Sequence, residues 1–478
     1  MIRMENKLVM RKLLKPVAWC LALLLFMRGE NIFSQPVTLN LSDAVRTGLT
    51  NYQEIQAKRN IANASAALVQ NARNQYLPDV TASIQQAYGT VNGQFGVYSS
   101  FAGTSTIASA GPMYSGQSWN AAFGSIYLLN TNWEFVSFGR LQSRIDLASK
   151  QWLLDSANLT QDKFVQSVKI AGAYLNLLIA QRFVQNAKSN VDRASFVQQT
   201  VIARTKSGLN PGVDSSIANS DLSAAKLSWI QAINSEQQFR NQLCQLINIL
   251  PAELLLDTTY FASQPRDFTT NFPVANNPQV QFYKSRIDES ISTEKYLHKS
   301  INPGLNLFGS LQGKGSGFDY NYTPLLDGNY SKSYFDGINP SRYNYLVGIG
   351  IGWNIVSPAK VREQVRAQQF LTAAYQNEYD LISTQLRDQL VLSDQQIENS
   401  LNSIKEVPFE HKAATDAYIQ KTVLYKNGLA NIVDVQQALY NLNRAETDLS
   451  VAYINIWQAL LLKSAASGDF DLFMKQVK

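Results

Sequence analysis

The chain has 478 residues, of which 45% are hydrophobic and only 16% are charged, whereas about 25% of the residues are charged in ordinary soluble domains. The formal net charge is +6, but residues 1–34 hold six basic and two acidic residues, so the remainder carries only about +2. This weak charge, without a basic stripe, argues against a nucleic-acid-binding protein.

Residues 1–34 have the pattern of a secretory signal peptide. A basic stretch ends at Lys15, the apolar run Val17–Met27 follows, and Ser34 precedes a polar segment. The run is shorter than the roughly 20 residues that span a bilayer, and its length is typical of a signal peptide. We predict cleavage near Ser34, with a retained anchor or a buried helix as the alternative. Only Cys244 would then remain, so no intrachain disulfide is expected.

The rest of the chain repeats itself at a shift of about 220 residues. Residues 425–434 echo 205–214, with lysine, glycine, leucine, valine and aspartate recurring in register. The same shift maps 133–137 onto 353–357. The period is too long for a solenoid repeat, so it indicates an internal duplication of a large unit.

Each repeat is predicted to contain a helix, two strands, a very long helix, a glycine turn and a return helix. The first repeat, 35–275, is assigned a helix at 51–76, strands at about 79–98 and 117–136, a long helix at 140–206, a return helix at 214–248 and an equatorial linker at 251–276. The second, 276–478, is assigned a helix at 277–301, strands at about 304–319 and 342–356, a long helix at 359–426, a return helix at 432–465 and a tail.

The long helices carry the three-and-four spacing of coiled-coil seams. A helix over 140–206 would be about 100 Å long at 1.5 Å per residue, which a globular domain does not need. Val407-Pro408 interrupts the second long helix and is a candidate kink. The seams consist of Leu141, Ile145, Ala148, Trp152 and Leu159, and of Val435, Leu439, Leu442, Ala445, Leu449, Ala452, Ile456 and Leu460.

All four strands alternate between apolar and polar residues. In the fourth, Val347, Ile349 and Ile351 share one parity, and Gly348 and Gly350 share the other. Such strands are typical of a transmembrane barrel, and a half-buried soluble sheet is the alternative. Four strands cannot close a barrel, so several copies would have to share one. The intervening segments 91–118 and 313–344 are rich in glycine and tyrosine and fit outer barrel loops or surface loops of any fold.

This order of elements, repeated twice, resembles the outer membrane efflux (TolC) family, most specifically over 425–435. The resemblance implies an α+β membrane protein. Three chains, with four strands each, would form a 12-stranded β-barrel continuous with a long α-helical coiled-coil periplasmic barrel. Residues 251–276 and the tail after Gly468 would form a girdle around it.

The resemblance also implies a functional site at the glycine turns. Asp214, Tyr425 and Asp434 match a periplasmic gate in which a tyrosine hydroxyl can donate to a carboxylate. A gate arginine is replaced by Ala430 and an acidic position by Gln437, so we expect fewer polar links. The alternative role for the two aspartates is helix N-capping. The tips that would contact an adaptor are Gly208, Leu209, Gly428 and Leu429.

We therefore expect a passive exit duct of a tripartite efflux or type I secretion system, located in the outer membrane of a Gram-negative bacterium and extending into the periplasm. The implied partners are two further copies of the chain, a periplasmic adaptor (membrane fusion) protein, an RND or ABC pump and outer-membrane lipid. No enzyme activity, cofactor or metal is expected, because no nucleotide-binding or catalytic motif occurs and His298 and His411 lie in unrelated helical segments. A trimeric coiled-coil surface or structural protein without a conducting pore is the alternative.

Overall fold

The computed structural model describes residues 37–92, 116–251, 253–269, 272–323 and 328–477. The expected signal peptide and most of the first predicted loop lie outside the described residues. Two compact units are present. The first comprises the described residues up to Gln56, Asp162–Asn277 and the chain from Thr384 onward, and the second comprises Ala57–Gln161 and Pro278–Ser383.

The described residues form nine α-helices and six strands. The helices are α1 (Leu41–Asn51), α2 (Gln53–Asn74), α3 (Arg140–Lys206), α4 (Gly212–Ile247), α5 (Pro278–Ser300), α6 (Tyr334–Ile338), α7 (Ser357–Lys426), α8 (Ile432–Ser467) and α9 (Phe470–Met474). The strands are β1 (Val37–Leu39), β2 (Asp79–Thr90), β3 (Ala121–Val136), β4 (Leu254–Leu256), β5 (Gly304–Ser316) and β6 (Arg342–Gly352). Within these described ranges, no helix has both the length and the apolar character needed to cross a membrane.

Several boundaries differ from the expected ones. The helix predicted over 51–76 corresponds to α2, which begins at Gln53 and ends at Asn74. The helix before it, α1, was not predicted, and extended backbone at Tyr52 (ψ 118°) separates the two. The strands are shorter than predicted, with β2 ending at Thr90 and β6 at Gly352; residues 93–98 lie outside the described residues. α7 continues through Pro408, although a proline nitrogen has no hydrogen to donate to the carbonyl one turn before it.

The first unit has its main hydrophobic core around four large buried side chains, Tyr174, Tyr260, Trp457 and Phe473. The rings of Tyr260 and Trp457 meet edge to face with centroids 5.0 Å apart. Short strands β1 and β4 pair in parallel beside them. The Tyr174 hydroxyl donates to the Leu39 carbonyl oxygen at 3.0 Å and accepts from the backbone N–H of Asp257 at 3.0 Å. This core therefore fastens the segment before α1 and the linker after α4 to the long helices.

In the first unit, the part of α3 from Asp162 onward forms a hairpin with α4, and the part of α7 from Thr384 onward forms a hairpin with α8. Of the eight seam residues predicted on α8, all are buried except Leu449, which is half-buried. The Arg193 guanidinium makes two hydrogen bonds to the Glu446 carboxylate, at 2.9 and 2.7 Å, and so links α3 to α8. Close packing is allowed by small buried side chains at Ala194, Ala218, Ala225, Ala438 and Ala445.

The second unit contains an antiparallel four-stranded sheet in the order β2-β3-β5-β6. β2 and β6 are its edges, and each has unpaired backbone groups along its outer side within the described chain. A register shift between Glu134 and Val136 interrupts the pairing of β3 with β5. Every strand meets a helical segment at one end of the sheet, so Thr90, Ala121, Ser316 and Arg342 lie toward the other end.

The strand register places the alternating apolar residues of all four strands on one face of this sheet. Ala82, Leu129, Leu311 and Tyr345 form one cross-strand row. The next row toward the helices contains Val80, Thr131, Gly309 and Val347. Many of these side chains are open to the surroundings; Val347, for example, is 72% exposed. The opposite face carries rows such as Ser83, Leu128, Gln312 and Asn344.

Candidate functional site: the paired glycine turns

The two glycine turns have the same backbone. Gly208 and Gly428 have φ angles of 71° and 75°, in the left-handed region where glycine avoids the cost of a side chain. In the first turn, Gly208 donates to the Thr205 carbonyl and Leu209 donates to the Arg204 carbonyl. Gly428 and Leu429 make the equivalent bonds to residues 425 and 424. This is the Schellman motif, in which both glycines end a long helix and reverse the chain.

The return helices begin differently after these turns. The Asn431 side chain caps α8 by accepting from the Asp434 backbone N–H at 2.8 Å. Pro211 occupies the N-cap of α4 and provides no side-chain cap. The N-capping interpretation of Asp214 and Asp434 is therefore wrong, because both lie in the first turn of their helices. Their negative charges there favour the positive end of the helix dipole.

Arg204 joins the two turns. Its guanidinium Nη1 donates to the carbonyl oxygen of Lys426 at 2.7 Å, which satisfies a carbonyl at the end of α7. Its Nε donates to Asn210 Oδ1 at 2.8 Å. The same guanidinium lies 5.4 Å from the centroid of the Tyr425 ring, within cation–π range. One side chain thus contacts both turns by three different interactions.

Asn210 links the tyrosine and the first aspartate of the expected gate. Its amide nitrogen donates to Asp214 Oδ2 at 2.7 Å and to the Tyr425 hydroxyl at 2.9 Å. The expected direct bond from the tyrosine hydroxyl to a carboxylate is therefore replaced by a bridge, in which that hydroxyl accepts. The sequence comparison of the two turns sets Asn210 opposite Ala430, so the second turn has no amide at the equivalent position.

Tyr425 is packed beneath these polar contacts. It is only 3% exposed and lies in a small core with Val201, Ala218 and Val435. Burial raises the pKa of its hydroxyl, and the negative charge of Asp214 adds to that rise. The Arg204 charge and the hydrogen bond with Asn210 offset part of it. The hydroxyl is therefore neutral at physiological pH and acts as a hydrogen-bonding group.

Asp434 does not join this cluster. Its carboxylate lies 3.4 Å from Lys421 Nζ, and both side chains are more than one-third exposed. Gln437 donates to Asn441 within α8. We expected fewer polar links from Ala430 and Gln437, and that expectation did not include Arg204, which makes polar contacts from the opposite turn. The structure thus brings Asp214 and Tyr425 together and leaves Asp434 in a separate ion pair.

The tips themselves expose apolar side chains. Leu209 and Leu429 are 67% and 74% exposed, and Val213 and Val433 on the return helices are 60% and 58% exposed. These residues correspond in the two repeats. Because each turn exposes a leucine and a valine at equivalent positions, the same apolar surface occurs twice, once at each turn.

Two further contacts stabilise the region beside the turns. The Gln436 amide donates to the Asp221 carboxylate, which connects α4 to α8. Lys426 Nζ lies 4.6 Å from the centroid of the Phe196 ring. Within the described residues, no group of three or more histidine, cysteine, aspartate or glutamate side chains could hold a metal ion. The chemistry of the site consists of polar links and exposed apolar side chains.

Comparisons with known proteins identify the class of protein. The sequence model described as "Outer membrane efflux protein" matches residues 45–248. The match covers most of the first predicted repeat, where it agrees with the expected resemblance to the outer membrane efflux family. No curated protein sequence matches the chain.

Solved outer-membrane channels share the fold. The outer-membrane channel OprN is 18% identical, with a TM-score of 0.70 and 90% of each chain covered. VceC from Vibrio cholerae is 13% identical, with a TM-score of 0.70, covering 90% of this chain and 96% of that chain. MtrE from Neisseria gonorrhoeae, described in its open state, is 16% identical, with a TM-score of 0.68, covering 90% and 88%.

The likeness to these solved structures confirms the fold expected for one chain. The family and these neighbours are channels rather than enzymes.

Proposed function

We propose that the chain is the outer-membrane exit duct of a tripartite efflux or type I secretion system. Three copies assemble into a 12-stranded barrel continuous with a helical periplasmic tunnel, through which substrates pass without chemical change. An inner-membrane pump of the RND or ABC type supplies the energy. A periplasmic adaptor protein connects the pump to the glycine turns.

The observation that carries this proposal is the four-stranded sheet with one apolar face and two unpaired edges. Unpaired backbone groups are not tolerated in lipid, so edges β2 and β6 need strands from other copies. An apolar face toward lipid and a polar face toward an aqueous lumen is the pattern of outer-membrane barrels. Three copies would provide twelve strands, a number within the range of known bacterial barrels.

The contacts around Arg204 support a closed state at the turns. Arg204 and Asn210 hold the two turns of one chain together through the Lys426 carbonyl and Tyr425. We assign Arg204, Asn210, Asp214 and Tyr425 to the gate, with Asp434 as a charged neighbour. Widening the passage would separate these groups, so their interactions favour closure.

The exposed tips support adaptor docking. Leu209 and Leu429 present apolar surface at turns that the Schellman bonds hold in a fixed shape. Apolar anchors on a rigid element lose little conformational entropy on binding. Gly208 and Gly428 fix that shape, and we assign all four residues to the adaptor contact.

Single-channel conductance in a planar bilayer tests the duct and the gate together. We expect a small, steady conductance from the wild type. A Tyr425→Phe, Asp214→Ala double variant and an Arg204→Ala variant should each conduct several-fold more, because both lose links between the turns. Arg444→Ala provides the matched control, since the one ion pair of Arg444 among the described residues is with Asp448, one turn away on α8.

Two outcomes would contradict the proposal. No conductance from the wild type or any variant, with intact oligomers on a native gel, would favour a structural surface protein. Conductance that is equal in the wild type, Arg204→Ala and Arg444→Ala would keep the pore but remove the gate from the glycine turns.

A further inference from the structure

The apolar face of the sheet has one polar row. Gln86, Ser125 and Gly315 are register partners on β2, β3 and β5. Each lies an even number of positions along its strand from Ile84, Tyr127 or Leu311, so all three lie on the apolar face. A glutamine amide and a serine hydroxyl left open to hydrocarbon would each lose hydrogen bonds with water, which is costly. The row lies toward the end of the sheet that is away from the helices.

The segment containing α6 covers this row. Ser125 Oγ lies 3.2 and 3.0 Å from the carbonyl oxygens of Gly337 and Ile338, to which it donates. The Tyr334 hydroxyl donates to Gln86 Oε1 at 2.8 Å. The Tyr127 hydroxyl donates to the Ile338 carbonyl at 3.0 Å. As a result Ser125 is only 4% exposed on a face that is otherwise open.

Two glycines allow this close approach. A Cβ on Gly315 would lie 2.6 Å from the Asn339 carbonyl oxygen and 2.7 Å from that of Gly337. A Cβ on Gly337 would overlap Phe123. The Tyr334 ring meets the Phe123 ring edge to face, with centroids 5.2 Å apart. The segment therefore packs against the apolar face of β3 and β5, and the contacts described above are all with that face.

Exposed aromatic side chains lie on the segment and on the neighbouring strand β6. Phe335 is 70% exposed, and Tyr343 and Tyr345 on the same face of β6 are 70% and 84% exposed. Tyr334 keeps 43% of its surface exposed while its hydroxyl bonds to the sheet. Aromatic side chains are enriched at the level where hydrocarbon meets the lipid headgroups.

From this arrangement we propose that residues 334–339 are a lipid-contacting segment at the headgroup level of the outer leaflet. The segment covers a polar row on the barrel exterior and inserts Phe335 into the lipid. It therefore does not cover the mouth of the pore. The inference rests on the proposed function, in which the apolar face of the sheet contacts lipid.

Spin-label accessibility in reconstituted bilayers tests the placement. Single cysteines replace Phe335, Ile349 and Asn344 in a Cys244→Ala background, and each carries a nitroxide label. Ile349 lies on the apolar face and Asn344 on the polar face, and both are exposed. Oxygen, which enters the bilayer, and a water-soluble nickel chelate are the two relaxing agents.

We expect the nitroxide labels at positions 335 and 349 both to collide more often with oxygen than with the nickel chelate. The label at 335 should lie at a shallower depth in the bilayer than the label at 349. The label at 344 should favour the nickel chelate. Adding Gly337→Val to Phe335→Cys should shift the label toward the chelate, because the valine side chain would overlap Phe123 and displace the segment.

The outcomes separate the two proposals. If the label at position 349 collides mainly with oxygen and the label at position 335 mainly with the chelate, the segment faces water and the inference is wrong. A label at 335 that is immobile and shielded from both agents would show a contact with a neighbouring copy, which also overturns it. If the label at position 349 itself collides mainly with the chelate, the apolar face does not contact lipid, and the proposed function is contradicted before the inference that rests on it.

Discussion

The four-stranded sheet and the paired glycine turns depend on different kinds of interaction. On the sheet, one face is defined by alternation, and side chains such as Val347 and Ile349 contribute mainly apolar surface. At the turns, a few groups make specific bonds, and Arg204 alone contacts Lys426, Asn210 and Tyr425. Apolar residues on the sheet can therefore replace one another, whereas residues at the turns cannot.

The comparison also separates two kinds of sensitivity to substitution. A sheet face in lipid tolerates changes of shape but not of charge, because hydrocarbon cannot solvate an ion. A hydrogen-bonded turn in water tolerates charge but not the loss of a particular donor or backbone angle. Substitutions in each region, paired with matched controls, test this difference.

The largest effect is expected at Ile349. Ile349→Lys places a cation on the apolar face, where it costs about 2–4 kcal/mol at mid-depth. The oligomer should fail to assemble in the outer membrane, as measured by membrane fractionation and native gels. Asn344→Lys, on the opposite face of the same strand, is the control and should assemble normally. Equal assembly of the two variants would show that the faces are wrongly assigned.

An intermediate effect is expected at Gly428. Gly428→Ala places a Cβ at a φ of 75°, which costs about 1–2 kcal/mol. Amide hydrogen exchange at the second turn should accelerate, because local opening becomes easier. Gly352→Ala, in the sheet, is the control, since a Cβ there meets nothing within 4 Å. Unchanged exchange in Gly428→Ala would mean that the turn does not require its left-handed backbone.

The smallest effect concerns Asp221. Burial raises the pKa of its carboxyl, and the hydrogen bond from Gln436 offsets part of the rise. Because the protonated form is favoured in the folded state, Asp221 contributes stability that grows as the pH falls through the raised pKa. Above that pKa this contribution is absent. Asp221→Asn should therefore flatten the pH dependence of hydrogen exchange in α4 and α8 on the acid side of neutrality.

Asp448→Asn is the matched control for that measurement, since Asp448 forms an exposed ion pair with Arg444 on the same face of α8. It should leave the acid-side slope as in the wild type. If both variants flatten the slope equally, the pH dependence does not come from the half-buried carboxyl of Asp221.

Much of the fold was predictable because it follows from periodicity. The strands alternate, and the observed register places their four apolar parities on one face. The short parallel pair β1 and β4 was not predicted, because three-residue strands have no measurable period. α6 was missed for a similar reason: its five residues are held by contacts with β2 and β3 rather than by helix propensity.

The candidate site was predictable only in part. The repeat located both glycine turns, and the family pattern indicated Asp214 and Tyr425. Arg204 and Asn210 were missed because neither recurs at the shift of 220, where Leu424 and Ala430 stand. That mismatch was itself a signal, since polar residues present in one copy of a repeat can bond across to the other copy.

The one-sided position of Arg204 has a consequence for symmetry. In the proposed trimer the turns would form a ring of six, but Arg204 joins them in pairs, each within one chain. The ring then has threefold rather than sixfold rotational symmetry. Dilation that separates the two turns of each chain would therefore have to break the same set of Arg204 contacts three times, once in every chain.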